Sequence, residues 1–128
     1  MILTPALLCL TQAIYFEGRG ESDLGQYLIA KSILNRKNDS RYANTICEVV
    51  YEPKAYSFTH DGKHERMLDE ESKNRAVLVA SETLKGFGSS TEATHYHASY
   101  TTPYWAKHYV LDTIQGLHYF YINKTNYK

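Results

Sequence analysis

AIYFEGRGESDLGQYLIAKSILNR, residues 13–36, sets the frame for the rest of the chain. An apolar helical run ends in Glu17 and meets Gly18 and Gly20, and a second helix opens on Glu21-Ser22-Asp23. A carboxylate at a helix end, beside a Gly-rich corner, can be half-buried against aromatic side chains and still face a cleft. Burial of that kind raises the pKa of a carboxylic acid and lets it donate a proton near neutral pH. Glu17 is therefore the candidate catalytic acid. The alternative is a solvated glutamate at the end of a helix.

Outward from this stretch, local signals mark the other elements. Thr4-Pro5 supplies an N-cap and a first-position proline for the first helix. The second helix runs from Ser22 or Asp23 to about Arg36, with Leu24, Tyr27, Leu28, Ala30, Ile33 and Leu34 near a helical period. Thr45-Ile46-Cys47-Glu48 has the form of a capping box and predicts a short helix that ends before Pro53. Residues 54–66 form a polar loop around Tyr56 and Phe58, a kind of segment that often carries binding residues. Asp69 caps a third long helix, closed at Lys85-Gly86. Thr94–Tyr100 and His118–Asn123 read as short strands, joined around Pro103 and Trp105. The fold class is α+β, mostly helical, with a small β-sheet towards the C-terminus.

The chain has 128 residues and no internal repeat, which predicts a single domain over residues 1–128. Fourteen basic residues balance fourteen acidic ones, so charge gives no case for nucleic acid as a partner. It shows no polybasic membrane patch either. Twelve tyrosines, with four phenylalanines and one tryptophan, suit a core and also a groove that stacks on sugar rings. The N-terminal MILTPALLCLTQAIYF lacks a basic start and a small-residue cleavage site, so it is a poor signal peptide, and it is too short to span a membrane before Glu17. The expectation is a chain made in the cytoplasm, without membrane insertion. Cys9 and Cys47 each fall in an apolar helix and match no zinc spacing. Two buried thiols are expected, with a disulfide between them as the alternative.

Glu21 is a possible second carboxylate. A two-carboxylate glycosidase holds its acids roughly 5–9 Å apart, and Glu21 serves equally as a first-turn residue favouring the second helix dipole. His95 and His97 would point to one side of a strand, and His60, Asp61 and His64 form another cluster. Neither matches a zinc signature, so no metal is expected. No G-x-S-x-G elbow is present for a serine hydrolase.

AIYFEGRGES, then Gly25-Gln26, then SILNR at 32–36 resembles the signature of the SleB/CwlJ-type cell wall hydrolases, a family of spore-cortex-lytic enzymes and phage lysins. TICEVVY at 45–51, YSF at 56–58, THYH at 94–97, PYW at 103–105 and HYFY at 118–121 follow in the same order, so the resemblance spans nearly the whole chain. It implies a lysozyme-like fold acting on the peptidoglycan glycan strand, with Glu17 as the acid. The bond would be the β-1,4 link from N-acetylmuramic acid to N-acetylglucosamine. Relatives act as lytic transglycosylases, releasing a 1,6-anhydro product without a cofactor; a water-using muramidase with the same acid is the alternative. Glu21, Gln26, Ser57, Phe58, Thr94, Tyr96 and Trp105 match family blocks and are the candidates for substrate binding. Gly18 stands where the family often has alanine, which would loosen the corner. A monomeric phage endolysin reaching the wall through a holin is the expected setting. Two competing functions are a carbohydrate-binding module that kept the groove, and a metal-dependent amidase using His95, His97 and His60 or His64.

Overall fold

The computed structural model describes residues 3–53, 55–59 and 67–127. Helix α1 (Pro5–Gly18) starts where Thr4 accepts a hydrogen bond from the Leu7 amide. It is buried through Leu10, Ala13, Ile14 and Tyr15, because α2 (Asp23–Lys37), α3 (Ile46–Val50) and α4 (Glu70–Leu84) all pack around it. Ser22, Thr45 and Asp69 cap these three helices with their side-chain oxygens. The Thr45 and Asp69 caps were expected from the sequence, which left the start of α2 between Ser22 and Asp23. Among the described residues no helix is long and apolar enough to cross a membrane.

The sheet has three antiparallel strands in the order β1-β3-β2: β1 (His95–Ala98), β2 (Val110–Gln115) and β3 (His118–Ile122). The first and last answer to the strands expected; β2 is an addition. Its side chains are mostly exposed along its length, and its register slips between Leu111 and Thr113. It therefore carries no clean alternation of buried and exposed residues. In place of an open connection, Tyr104–Lys107 forms a 3₁₀ turn.

The last turn of α2 fixes where β1 lies. Asn35 donates from Nδ2 to the carbonyls of Thr91 and Ala93, each at 2.8 Å, and Arg36 Nε donates to that of Thr94. The SILNR stretch thus holds the entry to β1 against the helices. On β1, Tyr96 shares a face with its partner Phe120 and points into the helical core, while His95 and His97 take the opposite face.

Two expectations are corrected here. Cys9 and Cys47 are bonded as a disulfide, which ties α1 to α3. Gly18, moreover, does not loosen its corner. A Cβ there would sit 3.0 Å from Ile29 Cδ1 and 3.4 Å from Gln26 Cγ, so the missing side chain lets α1 and α2 close on each other.

Glu21, in the turn between α1 and α2, holds the tip of the β2–β3 hairpin. Its Oε1 accepts the Leu117 amide at 3.0 Å and lies 2.9 Å from His118 Nδ1. Gly116, at φ +57°, passes so close that a Cβ would fall 2.3 Å from Glu21 Oε2. Gly116→Ala must displace that carboxylate and hold a left-handed backbone as well. It is expected to lower the melting temperature by about 5–10 °C, corresponding to about 2 kcal/mol in thermal unfolding. A change of less than about 1 °C would mean that Glu21 does not anchor the hairpin.

Candidate active site

A cleft crosses the open edge of β1, and Glu17 lies at the middle of it. On one side the walls are Arg36, Tyr42, Glu52, Pro53, Tyr56, His95, Tyr104 and Tyr109. On the other they are Phe16, His97, Ala98, Tyr100, Thr101, Pro103 and His118. Glu17, Ala55, Tyr96 and Trp105 border both halves. Cavity volumes of about 310 and 510 Å³ for the two halves suit one or a few sugar rings each.

Glu17 is the penultimate residue of α1, so the helix core fixes its backbone. Phe16 beside it stacks on Phe58 at 5.2 Å between ring centres, with their planes 17° apart. The Tyr96 hydroxyl donates to Glu17 Oε1 at 2.9 Å. Burial, and then the Glu17 charge, hold the Tyr96 hydroxyl well above its ordinary range, so it stays protonated and can only donate to the carboxylate. His118 meets the Tyr96 ring edge-on at 5.4 Å. Among the described residues, Glu21 is linked to the site through His118 and Tyr96.

Trp105 closes the cleft from the far side. It packs on His95, His97 and Tyr121 at 5.1, 5.8 and 5.4 Å between ring centres. Both ring nitrogens of His97 are engaged: Nδ1 donates to the Ala98 carbonyl at 2.8 Å, which leaves Nε2 to accept from the Tyr121 hydroxyl at 2.9 Å. His95 Nδ1 lies 2.9 Å from Thr94 Oγ1. Among the described residues no group of three or more His, Cys, Asp or Glu side chains could hold a metal ion. His60, Asp61 and His64 fall outside the described residues.

Of the substrate-binding candidates from the sequence, Tyr96 and Trp105 come to Glu17. Glu21 is turned to the hairpin. Gln26 is buried with its Nε2 on the Gly18 carbonyl, Phe58 belongs to the core, and Thr94 is buried beside Arg36. None of these four lines the cleft. The side chain of Ser57 falls outside what the structure describes.

The sequence reading missed Arg36 and Glu52. Arg36 is 8% exposed and lies between the rings of Tyr42 and Tyr56, 5.5 and 5.3 Å from their centres. Its signal was available: Arg36 follows Ile29 and Ile33 at helical spacing, so it continues the buried stripe of α2. Glu52 follows the short α3 in a turn, where no periodicity marks a direction.

The buried ring of His95 sets a pH limit on the fold. Burial first, and then the charges of Arg36 and Arg41, push its pKa down to about 3. Above pH 6.5 the ring is neutral in the folded and unfolded chains alike. Below it the unfolded chain takes up a proton that the folded site refuses, so stability falls as pH drops from 6.5 towards 3. A loss of about 2–3 kcal/mol by pH 4.5 is expected from this group. Urea unfolding at pH 7.5 and 4.5, in wild type and His95→Gln, measures it; equal acid loss in both would assign the effect elsewhere.

Comparison with known proteins follows the same outline. The profile of the family described as Cell Wall Hydrolase matches residues 20–121, a segment that begins just after Glu17. The spore cortex-lytic enzyme of Bacillus subtilis is 40% identical over 87 residues, which is 68% of this chain and 27% of that protein. Its counterpart from Halalkalibacterium halodurans is 39% identical over 87 residues, 68% of this chain and 25% of that protein. The chain thus spans about a quarter of the length of these curated relatives. Among solved structures, the catalytic domain of the germination-specific lytic transglycosylase SleB from Bacillus anthracis superposes with a TM-score of 0.75 at 30% identity, covering 91% of this chain and 93% of that one. The SleB catalytic domain of Bacillus cereus gives 0.73 at 31%, covering 94% and 92%. The α+β fold and the ordered blocks of sequence agree: the chain belongs to the cell wall hydrolase family.

Proposed function

We propose that this chain cleaves the peptidoglycan glycan strand at the β-1,4 bond from N-acetylmuramic acid to N-acetylglucosamine, as a lytic transglycosylase. One observation carries the reading: a glutamate, hydrogen-bonded by a half-buried tyrosine, stands where the two halves of an aromatic cleft meet. Solved relatives described as a lytic transglycosylase and as SleB catalytic domains support it. Protonated Glu17 gives its proton to the departing glycosidic oxygen as the bond to the muramic anomeric carbon breaks. The carboxylate then takes the proton of the muramic 6-hydroxyl, whose oxygen closes the 1,6-anhydro ring. One residue serves as acid and then base.

Tyr96 holds the carboxylate in place for both steps. Tyr96→Phe keeps the ring and removes the donor, and is expected to lower kcat about 10- to 100-fold, the loss associated with one hydrogen bond to a charged group. Turnover of solubilised glycan strands checks this; an unchanged kcat would remove Tyr96 from the mechanism.

Glu52 favours a second reading, because it is another carboxylate in the wall of the cleft. A muramidase would use it to activate water or as a nucleophile. Digestion of purified peptidoglycan in heavy-oxygen water, with products read by mass, separates the two. Unlabelled anhydro-muropeptides support the transglycosylase. Labelled reducing ends, lost in Glu52→Gln, would replace it with the muramidase.

A further inference from the structure

Among the described residues three buried side-chain oxygens have no hydrogen-bond partner: Thr11 Oγ1, Gln26 Oε1 and Tyr56 Oη. Thr11 and Gln26 do not line the cleft, whereas Tyr56 stands in its wall beside Glu17 and Arg36. Three of its polar neighbours have partners elsewhere. Arg36 Nε is on the Thr94 carbonyl, the Tyr96 hydroxyl is on Glu17, and the Tyr42 hydroxyl accepts from Asn123 Nδ2 at 2.8 Å. The Tyr56 ring cannot turn away to find water, since it is 3% exposed and packed near Tyr96 and the Arg36 guanidinium.

A buried hydroxyl without a partner destabilises a fold relative to phenylalanine at the same place. Such groups call for an explanation, and a binding role is one of them. Burial, opposed by Arg36 and reinforced by Glu17, raises the hydroxyl above its ordinary range, so it is a fixed donor. A donor of this kind beside an open half of a cleft awaits an acceptor from outside the protein.

We propose that the Tyr56 hydroxyl is a substrate-binding group. It donates a hydrogen bond to a hydroxyl or acetamido oxygen of the sugar unit lodged on the Arg36 side of Glu17. This rests on the cleft being the glycan groove. Substrate therefore completes a polar network that the folded chain leaves one bond short, and binding satisfies a group that folding could not.

The test is Tyr56→Phe, made alone and in a Glu17→Gln background where turnover is blocked. Affinity for soluble glycan strands is measured by calorimetry in the Glu17→Gln pair, and melting temperature in the single variant. Affinity is expected to fall about ten-fold, as for one lost hydrogen bond, while the melting temperature stays level or rises. Unchanged affinity would overturn the proposal. So would a melting temperature lowered by several degrees, which would make the hydroxyl a structural group. Failure of the wild type to cut glycan strands would instead sink the reading of the groove itself, and the two failures are told apart by that control.

Discussion

Glu17→Gln is expected to reduce release of glycan fragments by about three orders of magnitude, the range of a lost general acid, while leaving the fold in place. Glutamine keeps the length and the acceptor oxygen, so the Tyr96 hydroxyl retains a partner at the 2.9 Å position. Only the transferable proton is gone. The helix behind it is held by Leu10, Ala13 and Ile14 and does not depend on the charge. The melting temperature is expected to stay within about 2 °C of wild type. The variant should also still sediment with insoluble peptidoglycan, because the aromatic walls on both sides are untouched. Activity within ten-fold of wild type would mean that another group supplies the proton, and Glu52 would be the first to change.

The second large effect belongs to the disulfide. Cys9 and Cys47 are 38 residues apart, and closing a loop of that length removes about 4 kcal/mol of chain entropy from the unfolded state. That is a large part of the 5–15 kcal/mol that holds a typical domain together, and corresponds to about 10–20 °C in melting temperature. The position matters as much as the amount. Helix α3 has five residues, too few to stand without tertiary support. Its Ile46, Val49 and Val50 nonetheless enter the core beneath the turn that carries Glu52. Cys9→Ala with Cys47→Ala is therefore expected to lower the melting temperature by that range, and activity at elevated temperature more than binding in the cold. Thermal melts with and without dithiothreitol on the wild type give the same comparison without mutation. A shift below about 3 °C would show that packing alone holds α3.

Much of this was legible in the chain because caps and stripes are local. Thr4, Ser22, Thr45 and Asp69 announce helices within four residues of themselves, and each does so here. Strand β2 was not legible, since neither face of it is consistently buried. The cysteine pairing was hidden for another reason: proximity of Cys9 and Cys47 follows from how α1 meets α3, which no spacing encodes. Of the residues that border both halves of the candidate cleft, Glu17, Tyr96 and Trp105 had been named through the resemblance and the aromatic pattern. Glu21 was read as a possible second carboxylate, yet its partner is a hairpin 96 residues further on. A carboxylate can serve a turn or a substrate equally well by sequence, and only long-range contact decides.

The cleft continues past Glu17 in both directions. A trough of that form admits a polymer from the side, so a strand need not be fed in by its end. On the proposed glycan-cleaving function, cuts would fall anywhere along a chain, and mean strand length would collapse after very few of them. For a load-bearing mesh the consequence would be mechanical: tension would be lost while almost all of the sugar was still attached. The rate at which a wall softens would then run far ahead of the rate at which small fragments appear in solution.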